Sequence, residues 1–189
     1  MIALRKAMPA DASAIGAVHV AVWRNTYAGI LPDAFLARMS VARQTAYYDA
    51  AIRGGTGVLV AIASDADVPI GSGPRIVGFA TADKGRGAQI AGKQLAEGEI
   101  ETLYVLDDWR DLGVGRGLLR AAGAHLVDSG CRSCYLWVLR DNPSRWFYER
   151  LRGKPVAENT VEVGGQPVVQ IAFVWDPIDR LLAASPRES

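Results

Sequence analysis

The stretch from Glu97 to Val127 constrains the chain most, because it sets three local signals in an order that few folds use. An apolar run ends at Leu106, a basic segment Arg110-Asp111-Leu112-Gly113-Val114-Gly115-Arg116-Gly117 follows, and Val114, Leu118, Leu119, Ala122 and Leu126 then recur at helical spacing. Alternation over 99–106 predicts a strand with Ile100, Thr102, Tyr104 and Leu106 on one face and Glu99, Glu101, Leu103 and Val105 on the other. Apolar groups on both faces suit an inner strand covered on both sides. The recurring residues predict an amphipathic helix. Between the two, glycines let ligand oxygens approach the backbone N–H groups. Those N–H groups are the unpaired donors of a helix start, where the dipole favours an anion. Arg110 and Arg116 add full positive charge, so the segment predicts a phosphate or pyrophosphate ligand. It is not a P-loop, which needs G-x-x-x-x-G-K-[ST], and glycines at 113, 115 and 117 do not space as G-x-G-x-x-G. Taken alone, the glycines suit a tight strand-to-helix turn equally well.

The rest of the chain supplies a frame for this unit. Ile2–Lys6 predicts a first strand, and Pro9 and Asp11 suit the start of a helix that Ile15, Val18 and Val22 carry to about Arg24. His19, Trp23 and Tyr27 flank that stripe, and helix packing accounts for His19 and Trp23. After the turn Ala28–Pro32, a second helix is predicted over 33–53, with Phe35, Leu36 and Met39 on its apolar face. Strands follow over 58–63 and 76–82, separated by a loop over 65–75, and 83–94 reads as a second surface loop whose Lys84, Arg86 and Lys93 form a solvated edge. Beyond the stop Asp128-Ser129-Gly130 come a strand over 133–139 and a helix from Asp141-Asn142-Pro143 to about Arg152. A closing hairpin over 156–163 and 167–175 turns at Gly164-Gly165-Gln166. The expected organisation is one domain over 1–175 and a polar tail over 176–189 carrying one turn of helix near 179–184. The class is α/β (α+β): a mixed sheet with helices on both faces, antiparallel up to the core strand and parallel across the crossover that follows.

Composition narrows the function. The chain has 189 residues, 22% charged, with a net charge of +1. No basic cluster marks a nucleic-acid partner, no apolar run reaches membrane-spanning length, and the first residues carry no signal-peptide core, so a cytoplasmic location is expected. Cys131 and Cys134 form a lone C-x-x-C with no second ligand pair for zinc, and free buried thiols are expected. No metal-ligand cluster and no Ser-His-Asp array is visible.

Residues 97–127 resemble the acetyl-CoA-binding core of the GNAT superfamily of N-acetyltransferases. Arg110-Asp111-Leu112-Gly113-Val114-Gly115 matches the family pattern [QR]-x-x-G-x-[GA] position for position. A second element, Leu136-Trp137-Val138-Leu139, then Asn142, then Phe147-Tyr148-Glu149-Arg150-Leu151, follows in the family order. The stretch from His19 to Pro32 resembles a common N-terminal segment of bacterial members. The resemblance implies a mostly antiparallel sheet of six to seven strands. It also implies a V-shaped gap where the core strand and the next strand part, with the first two helices walling the acceptor side. It assigns cofactor binding to Leu103, Tyr104 and Val105, to 110–117 (Arg110, Asp111, Leu112, Gly113, Val114, Gly115, Arg116 and Gly117), and to Asn142 and Tyr148. Trp23, Tyr27, Glu101 and Arg140 fall on the acceptor side.

N-acetylation by direct transfer from acetyl-CoA requires three things. The amine must lose a proton, so a base in reach is useful. The thioester oxygen gains negative charge and needs a donor, which the resemblance assigns to the backbone at Val105. The departing thiolate gains from a proton. Glu99 and Glu101 are the base candidates, with Glu99 first because a subset of the family carries its base there; a wet strand end also accommodates two acids. Tyr148 matches the tyrosine many members place beside the sulfur. Asn142 matches a residue that bonds the pantetheine arm, and helix capping suits it as well. The chain departs from relatives at Arg140, where many have an acid, and at Asp107-Asp108, where proline is frequent. The expected activity is acetyl transfer to an amine of a small molecule, a protein or a peptide; a non-catalytic acyl-CoA sensor on the same fold is the alternative. A homodimer is compatible with the sequence.

Overall fold

The computed structural model describes residues 2–64, 75–85, 89, 90 and 92–185. The predicted loop over 65–74, Arg86 and the last residues of the tail, 186–189, lie outside the described residues.

Among the described residues, seven strands form one sheet in the order β1-β2-β3-β6-β7-β9-β8. They are β1 Ile2–Lys6, β2 Gly57–Ala63, β3 Arg75–Lys84, β6 Gly98–Val105, β7 Cys134–Leu139, β8 Lys154–Val163 and β9 Gln166–Trp175. A small separate pair, β4 Gln89–Ile90 and β5 Lys93–Gln94, lies within the stretch expected to be loop. All neighbours in the main sheet are antiparallel except β6 and β7. The closing hairpin turns on two residues, Gly164 and Gly165, at φ 64° and 81°. Left-handed backbone at both positions is what a type I′ turn requires and what glycine adopts without strain.

The helices divide between the two faces. α4 (Val114–Asp128) buries Val114, Leu118, Leu119, Ala122 and Leu126, the five residues of the predicted stripe, against β2, β3 and β6. Leu118, Leu119 and Leu126 are fully enclosed, each contributing about 1.5–3 kcal/mol of transfer free energy. α5 (Arg145–Arg150) and α6 (Asp179–Ala184) join the same cluster through Tyr148 and Leu181. On the other face, α1 (Ala12–Thr26) and α3 (Val41–Arg53) pack Ile15, Val18, Val22 and Tyr48 on Val58, Val60 and Phe79. No helix among the described residues is long and apolar enough to cross a membrane.

Four expectations need correction. The helix predicted over 33–53 is two, α2 (Asp33–Ala37) and α3, because Ser40 leaves helical geometry at φ −110°, ψ 121° and its hydroxyl caps the Arg43 N–H. The strand faces of β6 do not alternate throughout. Thr81 faces Thr102 while Ala82 faces Ile100, so Glu101 is the extra residue of a bulge. Ile100 therefore shares the α4 face with Leu103 and Val105, while Tyr104 and Leu106 face α1 and α3. The helix expected from Asn142 to Arg152 is the single turn and a half of α5, since Arg152 turns left-handed at φ 64°. Finally, the first half of the polar tail belongs to the body: Ile178 and Leu181 are core residues, and Arg120 donates to the Leu182 and Ser185 carbonyls.

This docking gives a direct test. Leu181→Ala should cost about 2–5 kcal/mol in chemical denaturation, whereas a loosely attached tail would leave the unfolding free energy within about 0.5 kcal/mol of the parent.

Candidate active site

The site begins where two strands stop pairing. β6 and β7 are bonded in register only at Gly98↔Cys134 and Glu99↔Tyr135. Beyond Glu99, β6 stays on β3 and β7 stays on β9, so the two diverge and expose facing edges. A cleft of about 900 Å³ opens there, lined on the β6 side by Ile100–Val105 and on the β7 side by Leu136–Leu139. Buried backbone groups normally find partners, so an unpaired strand edge suits a ligand carrying amides of its own.

The loop expected to bind an anion lies at one end. Asp111 and Gly113 both take left-handed backbone, at φ 60° and 80°, and Gly113 is the residue before the first turn of α4. The first N–H groups of α4 are left without intrahelical partners at that end. Arg110, Asp111, Gly113, Gly115 and Arg116 line the cleft. Arg110 is fixed by Asp107 at 2.8 Å and by the Thr26 hydroxyl at 2.9 Å. A Cβ at Gly115 would meet Phe147 at 3.6 Å and Val105 at 3.8 Å, ordinary contact distances. The protein itself thus has room for a side chain there, and the space faces the cleft. Leu112 is 60% exposed, while Val114 is buried in the α4 core. Neither of these two, nor Gly117, is part of the lining.

The opposite side is aromatic. Asn142 follows β7, donates through Nδ2 to the Tyr27 hydroxyl at 3.1 Å and accepts the Ser144 N–H at 2.9 Å. The same side chain thus turns the chain into α5 and ties it to α1. Tyr148 lines the cleft at 7% exposure, and its hydroxyl has no hydrogen-bond partner among the described residues. Burial raises its pKa, and neighbouring Tyr27 adds to the shift, so the phenol keeps its proton at neutral pH. Trp23, Tyr27 and Tyr104 form the wall toward α1.

The two predicted acids separate. Glu101, at the bulge, lines the cleft; Glu99 does not, and its carboxylate accepts the Tyr135 hydroxyl at 2.7 Å. Arg140 is also outside the lining and faces Glu158 at 3.6 Å. Glu158 lies on β8, so no reading of neighbouring residues could have found that pair. His19 is buried beneath the wall, 2.7 Å from the Tyr48 hydroxyl and stacked on Trp23, in keeping with a packing role. Cys131 and Cys134 are buried free thiols, and burial pushes Cys134 up to about 12. Among the described residues, no three His, Cys, Asp or Glu side chains converge.

A parted strand pair, an arginine- and glycine-bearing helix start and a buried tyrosine thus line one cleft. The chain belongs to the acetyltransferase (GNAT) family, whose model matches residues 21–153, and that membership makes it an acyltransferase. It is 29% identical over 182 residues, 96% of either chain, to the uncharacterized N-acetyltransferase YuaI of Bacillus subtilis (strain 168). Its fold matches a GCN5-related N-acetyltransferase from Rhodopseudomonas palustris at TM-score 0.65 and 24% identity, over 92% of this chain and 94% of that one. It matches the paia N-acetyltransferase of Thermoplasma acidophilum, solved with coenzyme A, at 0.60 and 20%, over 90% and 98%. It also matches yncA of Salmonella typhimurium, solved with its cofactor acetyl-CoA, at 0.63 and 19%, over 93% of each chain.

The buried histidine carries a pH signature. Desolvation lowers the His19 pKa from 6.5 to about 4, so the folded protein holds it neutral while the unfolded chain protonates it first. Its contribution is complete above about pH 6.5 and is lost as pH falls toward 4, by up to about 3 kcal/mol at 1.36 kcal/mol per unit. The unfolding free energy of the parent should decline across that window, and His19→Gln should flatten the decline. NMR titration should find the ring neutral at pH 6.

Proposed function

We propose that this chain transfers an acetyl group directly from acetyl-CoA to an amine. The observation that carries the reading is the coincidence of the anion loop with the parted β6–β7 edge, since a coenzyme A molecule needs both a diphosphate site and a slot for an amide-bearing arm. Acetyl-CoA supplies the thioester as an activated acyl group. Arg110, Arg116 and the N–H groups opening α4 would hold the diphosphate. The backbone at Leu103–Val105 and the Asn142 side chain would hold the arm and the carbonyl.

Glu101 would accept a proton from the amine, directly or through one water, so that nitrogen presents a lone pair. The C–N bond forms and the C–S bond breaks, and Tyr148 would pass its proton to the departing sulfur. Glu101 is preferred to Glu99 because it lines the cleft and Glu99 does not. Support for Tyr148 comes from its place in the lining of the same gap and from its protonated hydroxyl, which has no hydrogen-bond partner among the described residues.

Cofactor binding is tested first. Gly115→Val should leave the fold intact, given the space around Gly115, and weaken coenzyme A at least tenfold by calorimetry. Unchanged affinity would remove the loop from the site.

The chemistry is tested by thiol release over a panel of amines. Tyr148→Phe keeps the ring and removes the proton, so turnover should fall about tenfold to a thousandfold with coenzyme affinity unchanged. Glu101→Gln should lower the rate most near neutral pH and least at high pH, where free amine is abundant. A profile unchanged in Glu101→Gln but altered in Glu99→Gln would return the base to Glu99. A non-catalytic sensor would bind coenzyme and release no thiol with any amine.

A further inference from the structure

The acceptor end of the cleft carries more information than the reading above uses. Trp23 from α1, Tyr27 at its C-terminal cap, Trp137 and Leu139 from β7, and Val161 and Val163 from β8 line it. The closing hairpin also folds over α2. Val163 and Val168 pack with Trp23, Phe35 and Leu139. A Cβ at Gly164 would lie 2.6 Å from the Phe35 ring, so the hairpin turn sits directly on that side chain. The α1–α2 segment and the hairpin therefore join across this end and make a blind, apolar recess, whereas an extended peptide needs a groove open at both ends.

Charge sharpens the description. Among the described residues, the cations lining the cleft are Arg110, Arg116 and Arg150. Two of them belong to the loop that opens α4, and the third is on α5, whose Tyr148 and Phe147 join the α4 cluster and not the one that holds Trp23 and Tyr27. Arg140, expected on the acceptor side, stands against Glu158 outside the lining. The lining acids are Glu101 and Asp111, and Asp111 is in the anion loop. A carboxylate brought among the recess residues named above would lose water and meet no cation among them. A polyamine or an aminoglycoside would place several ammonium groups beside a single acid. A lone ammonium carried on a flat apolar body meets the aromatic faces and the one carboxylate together.

We infer that the acceptor is a compact monoamine on an aromatic or branched apolar body, without a carboxylate. This rests on the acetyl-transfer reading for its chemistry, but the recess makes its own prediction about binding.

The test compares 2-phenylethylamine with phenylalanine, which adds only the carboxylate, with spermidine, and with a short peptide bearing a free N-terminus. Thiol release should give 2-phenylethylamine a kcat/KM at least tenfold above each of the others. Trp23→Ala should lower that value at least tenfold while coenzyme A affinity stays within about twofold. Gln170→Arg, at another lining position, puts a cation beside the recess without touching the aromatic wall, and should shift preference toward phenylalanine. Equal or better turnover of phenylalanine, spermidine or the peptide by the parent would overturn the inference. Should no amine release thiol, calorimetry of the coenzyme-loaded protein separates the two claims. Binding of 2-phenylethylamine without phenylalanine would uphold the recess and sink the transfer reading, and no binding of 2-phenylethylamine would sink the inference itself.

Discussion

Everything in this molecule depends on a pair of strands that stop being a pair. β6 and β7 share two residues of parallel register and then separate. Parting forgoes several ladder hydrogen bonds, and the fold tolerates it because each strand keeps an antiparallel neighbour on its outer side, β3 for one and β9 for the other. The bulge at Glu101 falls two residues after Glu99, the last residue of β6 paired with β7. An extra residue in one strand bends it and increases its local twist, so the bulge and the divergence belong to one distortion. The same distortion brings Glu101 to the lining and frees the edge beside it.

A gap between strands is useful only if its walls stay registered, and the C-terminal end of α1 does that. Asn25 donates to Asp107, Arg110 to the Thr26 hydroxyl, and Asn142 to the Tyr27 hydroxyl. Three consecutive residues of one helix end thus reach the turn before the anion loop, the loop itself and the segment leading into α5. Single bonds of this kind contribute about 0.5–1.5 kcal/mol each, modest for stability. Their larger effect is geometric: the aromatic wall, the loop and the Tyr148 helix cannot move apart without breaking at least one.

The helix α4, its loop and the glycine hairpin turn were legible because each is a local rule: a stripe at helical spacing, an unsatisfied helix start, two left-handed residues in succession. Non-local features were not. Alternation assigned Ile100 to the wrong face because a bulge is set by the register with β3, which β6 alone does not encode. The helix break before Ser40 was readable in principle, since serine at that position is a capping residue, but the continuing apolar pattern of Phe35, Leu36 and Met39 hid it. The docking of α6 turns on Leu181 meeting α4, where a Cβ at Gly123 would fall 2.6 Å from the Leu181 side chain. Glu99 and Glu101 look equivalent in a strand, and only the divergence point and Tyr135 distinguish them.

The titratable groups packed around the gap explain why so few charges remain to define it. Burial holds His19 neutral by lowering its pKa to about 4, and raises the phenols of Tyr27, Tyr48, Tyr104 and Tyr148 so that each stays protonated. None of these five contributes charge at neutral pH, although all sit in or behind the aromatic wall and the α5 side of the cleft. Among the described residues, the charged side chains of the lining are therefore Arg110, Asp111 and Arg116 at the loop, Glu101 at the bulge and Arg150 on α5. Low-dielectric walls strengthen the field between such fixed charges. Under the proposed acetyl transfer, this separation would orient a ligand with its negative charge at one end and an amine at the other, and would leave the reacting carbonyl and sulfur to backbone groups and a phenol.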